Sequence, residues 1–317
     1  MPFKSSYPIV LEHDSVQYGP MNSVPDLVRF GTSSWAYEGW QGLIYRRPYP
    51  KSRFSQDTLA EYAAHRFDDR DPPLFRTVGI DHSFYHPADA NQLAHYATQV
   101  PDDFHFCQKV WEAITVPAYA NLPRYGMKAG KSNPHFLDAS LFHESVLVPA
   151  TIGLGSKLGP FIFEFQRWSI DPSTFLNRLD RFLGRLPSGQ LYAVEIRNPA
   201  LLGRRYGDVL RAHNVTHVYN HWTAMPPLAC QHQVLDRRFS ASFAVLRLLT
   251  PLGLAYEKAV ARYKPYNRIV REQTRMRQDT IVLINQAIRE GKPIYVLANN
   301  RAEGCSPLTV RALKAAL

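Results

Sequence analysis

Read from its amino end, the chain alternates short β-rich runs with amphipathic stretches. Runs dense in Val, Ile, Phe and Tyr occupy Val28–Thr32, Phe75–Ile80, Phe104–Lys109 and Phe161–Phe165. Four more follow at Tyr192–Ile196, Thr216–Tyr219, Phe243–Leu248 and Pro293–Ala298. Runs of this length and content predict buried strands. Between most of them the pattern changes to a helical period. Ser55 is expected to cap a helix through Phe67, and a second helix is expected over Pro87–Gln99. Asp171-Pro172-Ser173 opens a third that ends near Gly184, Pro199–His213 is a fourth, and Val270–Glu290 is a long fifth stopped by Gly291. Ser306-Pro307 starts the last.

Eight strands alternating with helices predict parallel β/α units rather than a sandwich. A doubly wound open sheet is the rival, and a glycine-rich phosphate turn after the first strand would favour it. Gly31-Thr32-Ser33-Ser34 does not match GxGxxG. The expected fold class is therefore α/β, a single (β/α)8 TIM-like barrel over 27–317 with long loops at the C-terminal face of its strands. Residues 1–26 are expected to form an irregular extension. Two connections exceed ordinary length, Ala113–Asn133 after the third strand and Asn220–Ser242 after the sixth. Long loops in a compact domain are often lids or mobile segments.

Composition narrows the class further. Apolar residues make up 45% of the chain, and 37 Lys plus Arg against 27 Asp plus Glu leave a net charge of +10. Anionic partners are favoured by that sign. No apolar run is long enough to cross a bilayer, and the amino terminus shows no secretory leader, so no membrane partner is expected. Three cysteines, Cys107, Cys230 and Cys305, are odd in number and far apart. They point to a reducing, cytoplasmic setting without a disulfide framework or a cysteine zinc site.

In such a barrel the chemistry sits at the carboxyl ends of the strands. Trp35, Trp40, Trp111, Trp168 and Trp222 all fall there, and Tyr37 lies in the first loop beside Arg46, Arg47, Lys51 and Arg53. Trp35, Tyr37 and Trp40 are candidates for stacking a ring, the alternative being that they pack loops onto the rim. Charged residues form a second group. Lys109 closes strand three, Glu164 lies near the end of four, Glu195 and Arg197 close five, and Arg247 sits near the end of seven. Glu195 and Arg197 share a face by strand alternation, and Lys109, Glu195 and Arg247 are expected to meet inside the barrel. The group would serve as a cation-flanked acid/base or as a structural ion cluster. Asn299 and Asn300 join the candidate anion-binding groups at the start of the terminal segment. Arg268, Arg271 and Arg275 are expected on one face of the long helix, in a region from Arg247 to Lys292 that holds ten Lys and Arg against four Asp and Glu. A divalent metal is a weaker expectation. It would use His217 and His221 with Asp81, Glu164 and Glu195, but no HExxH element supports it.

These motifs resemble one family. GTSSWAYEGW, Ser83-Phe84-Tyr85-His86-Pro87, FHFCQK ending at Lys109, LGSKLGPFIFEF, AVEIRNP and IYVLANN follow in order from about Phe30 to the carboxyl end. Together they are similar to the YecE-like domain-of-unknown-function family. The resemblance implies a β/α barrel and no established activity. It also marks departures: the Glu and Asn usual on the second strand are Gly79 and Asp81, the usual Gln of the fourth is Glu164 followed by Gln166-Arg167, and a His often found after strand three is Val116. The family site is therefore expected to be altered here.

Two functions remain in view. In one, an enzyme acts on a phosphorylated, sugar-containing or nucleic-acid substrate, as a phosphodiesterase-like hydrolase or a sugar isomerase. Glu195 or Glu164 would be its acid/base, Lys109, Arg197 and Arg247 would hold the anion, and Trp35 and Trp40 would stack a ring. In the other, the chain is a non-catalytic binder of nucleic acid or another polyanion.

Overall fold

The computed structural model describes residues 25–69, 71–168 and 170–317. The expected extension over 1–26 therefore lies, apart from Pro25 and Asp26, outside the described residues. Eight parallel strands close into a barrel in sequence order: β1 Val28–Thr32, β2 Thr77–Ile80, β3 His105–Lys109, β4 Leu158–Phe165, β5 Tyr192–Ile196, β6 Thr216–His221, β7 Ala244–Leu248 and β8 Ile294–Ala298. The ring shuts where β1 pairs with β8, from Val28↔Ile294 through Thr32↔Ala298. On the other edge of β1, where it pairs with β2, Gly31 sits against Thr77 so closely that a Cβ there would overlap the Thr77 carbonyl oxygen, which makes glycine the residue for that contact.

Alternation along each strand separates two apolar layers. On β4, Phe161, Phe163 and Phe165 point outward and meet Phe142, Phe182 and Phe175 edge-on, at ring-centre distances of 5.3, 5.2 and 5.1 Å. Burying each such ring stabilises the sheet–helix layer by about 1.5–3 kcal/mol. Ile162 points the other way, into a separate interior cluster with Cys107, Ala193, Val218, Val245 and Leu297. Two positions further along their strands the same inward parity delivers Lys109, Glu164, Glu195, Asn220 and Arg247. The barrel interior thus changes from apolar to ionic on approaching its C-terminal mouth.

Helical boundaries depart from the sequence reading in informative places. Ser55 caps nothing. It lies inside the short helix Phe54–Asp57, which is followed by Leu59–Ala64. The second helix is shorter than expected, Ala90–Ala97, with the Asp89 carboxylate accepting from the Gln92 amide. The stretch Pro199–His213 divides into a turn at Pro199–Leu201 and the helix Arg204–Ala212. The long helix starts at Thr274, because the Val270 and Gln273 amides donate to the Glu303 backbone and carboxylate instead of opening a helix. Arg268 and Arg271 therefore lie outside it, and the expected three-arginine helical face does not form. Asn220–Ser242 is not a bare loop, since it holds the helix Leu228–Val234 that packs under β6.

Besides Leu228–Val234, the helix Tyr256–Tyr263 and a longer stretch went unpredicted. Residues 139–154 run through Ala139–Phe142, a wide π turn at His143–Leu147 and Val148–Leu154. Pro149 has no amide to donate back along the helix, and the wide turn sits where that bond would have closed. The loop after β3 is tied at its base by Asn133, whose buried amide donates to the Ala113 and Val116 carbonyls at 2.7 Å each. Among the described residues no helix is long and apolar enough to cross a membrane.

Candidate functional site

The inward-facing charges at the mouth form one connected network. Glu195 is fully buried; its Oε1 accepts from Arg197 Nε at 2.5 Å and its Oε2 from Arg247 Nη1 at 2.7 Å. Glu164 Oε2 takes three cations: Lys109 Nζ at 2.9 Å, Arg197 Nη2 at 2.8 Å and Arg247 Nη1 at 3.3 Å. Arg247 Nη2 reaches both oxygens of Asp81, at 2.9 and 2.8 Å. Lys109, Glu195 and Arg247 are thus joined as the sequence predicts, with Lys109 entering through Glu164. Burial works to raise the Glu164 carboxyl, but Arg197, Lys109 and Arg247 override it and hold the group well below the ordinary carboxylate range. Burial works against the Arg247 charge, and Asp81, Glu195 and Glu164 more than restore it.

Above this network lies a cavity of about 470 Å³. Asp81 and Glu164 are the carboxylates on its lining, and Lys109, Arg167, Arg197, Arg247 and Arg301 are the cations. Phe84, Tyr85, Trp222 and Tyr256 supply aromatic surface. Several of these rings already carry a cation: Lys109 Nζ lies 3.9 Å from the Phe84 ring centre, the Arg197 guanidinium 4.8 Å from Trp222, and that of Arg301 4.6 Å from Tyr256. Such stacking fixes the plane of a guanidinium before a ligand arrives. The Nε atoms of Arg247 and Arg301 are buried without a hydrogen-bond partner.

Several candidates do not reach this cavity. Glu195 lies beneath its floor, positioning Arg197 and Arg247. Trp35 is in the core, with its indole N–H donating to the Ser55 carbonyl and its edge against Tyr96. Trp40 is fully buried, packed between Tyr45 and Tyr62, and donates to Asn300 Oδ1 at 3.2 Å. Tyr37 packs on Trp40 and Tyr266; burial pushes its phenol up to about 12. Asn299 caps the turn after β8 by accepting from the Arg301 amide, while Asn300 accepts from Ser306 and Trp40. The physical reason is packing: Trp35, Tyr37 and Trp40 fold the loop after β1 onto the core, and Trp40 ties it to the turn after β8 through Asn300, whose side-chain nitrogen stays buried without a hydrogen-bond partner. Trp40→Phe is expected to lower stability by about 1 kcal/mol through the lost hydrogen bond, read as a shifted urea midpoint. A variant as stable as the wild type would return Trp40 to the candidate ligand groups.

Nor do the histidines assemble a metal site. His217 faces the helices, between the Tyr206 hydroxyl at 3.0 Å and Gln231 Oε1 at 3.0 Å, and burial lowers its pKa to about 4. His221 is buried and lowered likewise to about 4. Among the described residues no three His, Cys, Asp or Glu side chains converge as metal ligands would. Burial pushes the Cys107 and Cys305 thiols up to about 12 and about 11. The sequence reading missed Arg301, Tyr85 and Tyr256 as cavity groups, and it noted Arg167 only as a departure from the family pattern. Their one signal was position, close beyond a strand end.

Fold and mouth together define a closed (β/α)8 barrel with a cationic, aromatic-walled cavity at the C-terminal ends of its strands. More particularly, the chain belongs to the DUF72 family: the family model described as "Protein of unknown function DUF72" matches residues 29–317. None of the curated proteins matches this chain. Among solved structures it is similar to a DUF72 family protein from Enterococcus faecalis V583, with TM-score 0.64 and 15% identity, covering 91% of this chain and 95% of that one. It is also similar to one from Thermotoga maritima MSB8, with TM-score 0.60 and 18% identity, covering 91% and 98%. At these identities the likeness concerns the fold.

Proposed function

We propose that the mouth cavity binds a phosphorylated, sugar-containing small molecule and that the carboxylate at its floor acts on a hydroxyl of that ligand. One observation carries the reading: five cations and two carboxylates line a single cavity of about 470 Å³ with aromatic walls. Arginine forks match phosphate oxygens, and ring faces match the apolar face of a sugar or base. Glu164, held ionised, accepts a hydroxyl hydrogen bond and orients that oxygen; near neutral pH it is no proton donor. Lys109 and Arg197 hold Glu164 at the floor, Glu195 keeps Arg197 in place, and the anion falls to the other arginines of the lining. The reaction class that fits is hydrolysis of a phosphate ester or isomerisation of a sugar phosphate.

Calorimetric titration with glucose 6-phosphate and with glucose tests the binding half, the phosphate ester being expected to bind and the free sugar not. Turnover is then assayed against nucleotides, abasic DNA and sugar phosphates, with and without divalent metal, for the wild type and Glu164→Gln. A turnover that falls about a hundredfold in the variant, in the range of lost acid/base function, supports the reading. Failure of every phosphate compound to bind discards it. A polyanion binder is the second reading, favoured by residues 113–137, which contain no Asp or Glu and carry exposed Arg124, Lys128 and Lys131, Arg124 lying over Tyr85 and Lys128 over Tyr119. It calls for oligonucleotide affinity that falls steeply with salt.

A further inference from the structure

The charges lining the mouth are not equivalent. Lys109, Arg197 and Arg247 are matched one for one by Asp81, Glu164 and Glu195, all six in the same ion network. Among the described residues Arg167 and Arg301 have no carboxylate partner. Arg167 is exposed at the cavity edge, and Arg301 rests on Tyr256 with its Nε buried and unpartnered. The uncompensated charge of the site is therefore +2, carried by these two guanidiniums.

Topology places them on opposite sides. Arg167 follows β4 and Arg301 follows β8, and in a ring of eight strands closed in sequence order those two lie across a diameter. The same order sets Phe84 and Tyr85, which follow β2, across from Trp222, which follows β6. Two cationic poles thus stand on one diameter and two aromatic walls on the other. A single phosphate satisfies only one pole and leaves the other cation without a counter-charge.

We infer that the ligand carries two anionic groups at opposite ends of a ring, as a sugar bisphosphate does, with one phosphate on Arg167 and the other on Arg301. This rests on the proposed function and specifies its substrate class. The test is titration of the full chain with glucose 1,6-bisphosphate, glucose 6-phosphate and pyrophosphate, repeated for Arg167→Gln and Arg301→Gln. The bisphosphate is expected to bind about tenfold or more tightly than the monophosphate, the scale of one added charge-assisted contact. Pyrophosphate, as charged but too short to reach both poles, should gain nothing of that kind. Each substitution should remove the bisphosphate advantage, and one of the two should leave glucose 6-phosphate affinity unchanged. Arg301→Lys, which keeps the charge, should retain part of it. Equal affinity for the mono- and bisphosphate overturns the inference and leaves the proposed function standing. So does an equal loss of both ligands in both variants, since that places a single phosphate between the two arginines. If neither sugar phosphate binds, the inference falls, and the proposed function falls with it once the nucleotides also fail to bind.

Discussion

Glu195→Gln is expected to lower the free energy of unfolding by about 3–5 kcal/mol, the usual cost of breaking a buried ion pair from one side. Glutamine keeps the shape, so the loss is not that of a cavity. What changes is the charge beneath Arg197 and Arg247, each of which gives Glu195 a direct contact at 2.5 and 2.7 Å. Arg247 is almost wholly buried and would keep only Glu164 and Asp81, and Asp81 is itself partly exposed. The measurement is a urea transition: the midpoint should fall with the slope unchanged, since the surface exposed on unfolding stays the same. A loss below about 1 kcal/mol, the size of an exposed pair, would mean that the remaining carboxylates compensate fully. Because Glu195 does not line the cavity, this effect belongs to the scaffold of the site, and any change in ligand affinity would come through displaced arginines.

How far the molecule was legible follows from the range of the forces concerned. Strands buried on both faces leave short runs dense in apolar and β-branched residues, so Val28–Thr32 and Tyr192–Ile196 are bounded in the sequence as they are in the structure, although each holds one charged residue, Arg29 and Glu195. β4 begins earlier than expected, at Leu158, because Gly159-Pro160 reads as a turn. The pairing register shifts between Phe106 and Gln108 beside them, and at such an irregularity proline's missing amide is tolerated. Pro149 hid a helix for a comparable reason. The ionic cluster was legible because strand parity alone sends Lys109, Glu164, Glu195 and Arg247 to the same side. No such parity exists beyond a strand end, where Arg167 and Arg301 lie. The tryptophans show the limit most clearly. An indole suits a ligand wall or a core equally, and what decided Trp40 was Asn300, 260 residues away in sequence.

The acid limb of the stability curve isolates the other buried carboxylate. In the folded chain Glu164 sits far below its ordinary value of 4.5, so as pH falls the unfolded chain takes up its proton first. The unfolded state then binds more protons and stability declines with falling pH. The contribution of Glu164 is complete above about pH 4.5 and is lost progressively below it, toward the depressed pKa of the folded state. Glu164→Gln is expected to cost about 3–5 kcal/mol near neutral pH by removing the shared partner of three cations. Once the wild-type carboxyl is protonated, however, the two proteins present nearly the same neutral group to Lys109, Arg197 and Arg247. The gap between their urea midpoints should therefore be widest near pH 7 and narrow steadily below about pH 4.5. A gap that stays constant down to the lowest pH at which both remain folded would show that Glu164 contributes through packing and not through its charge. It would also remove the argument that this carboxylate stands ionised at the cavity floor, ready to accept a hydroxyl hydrogen bond.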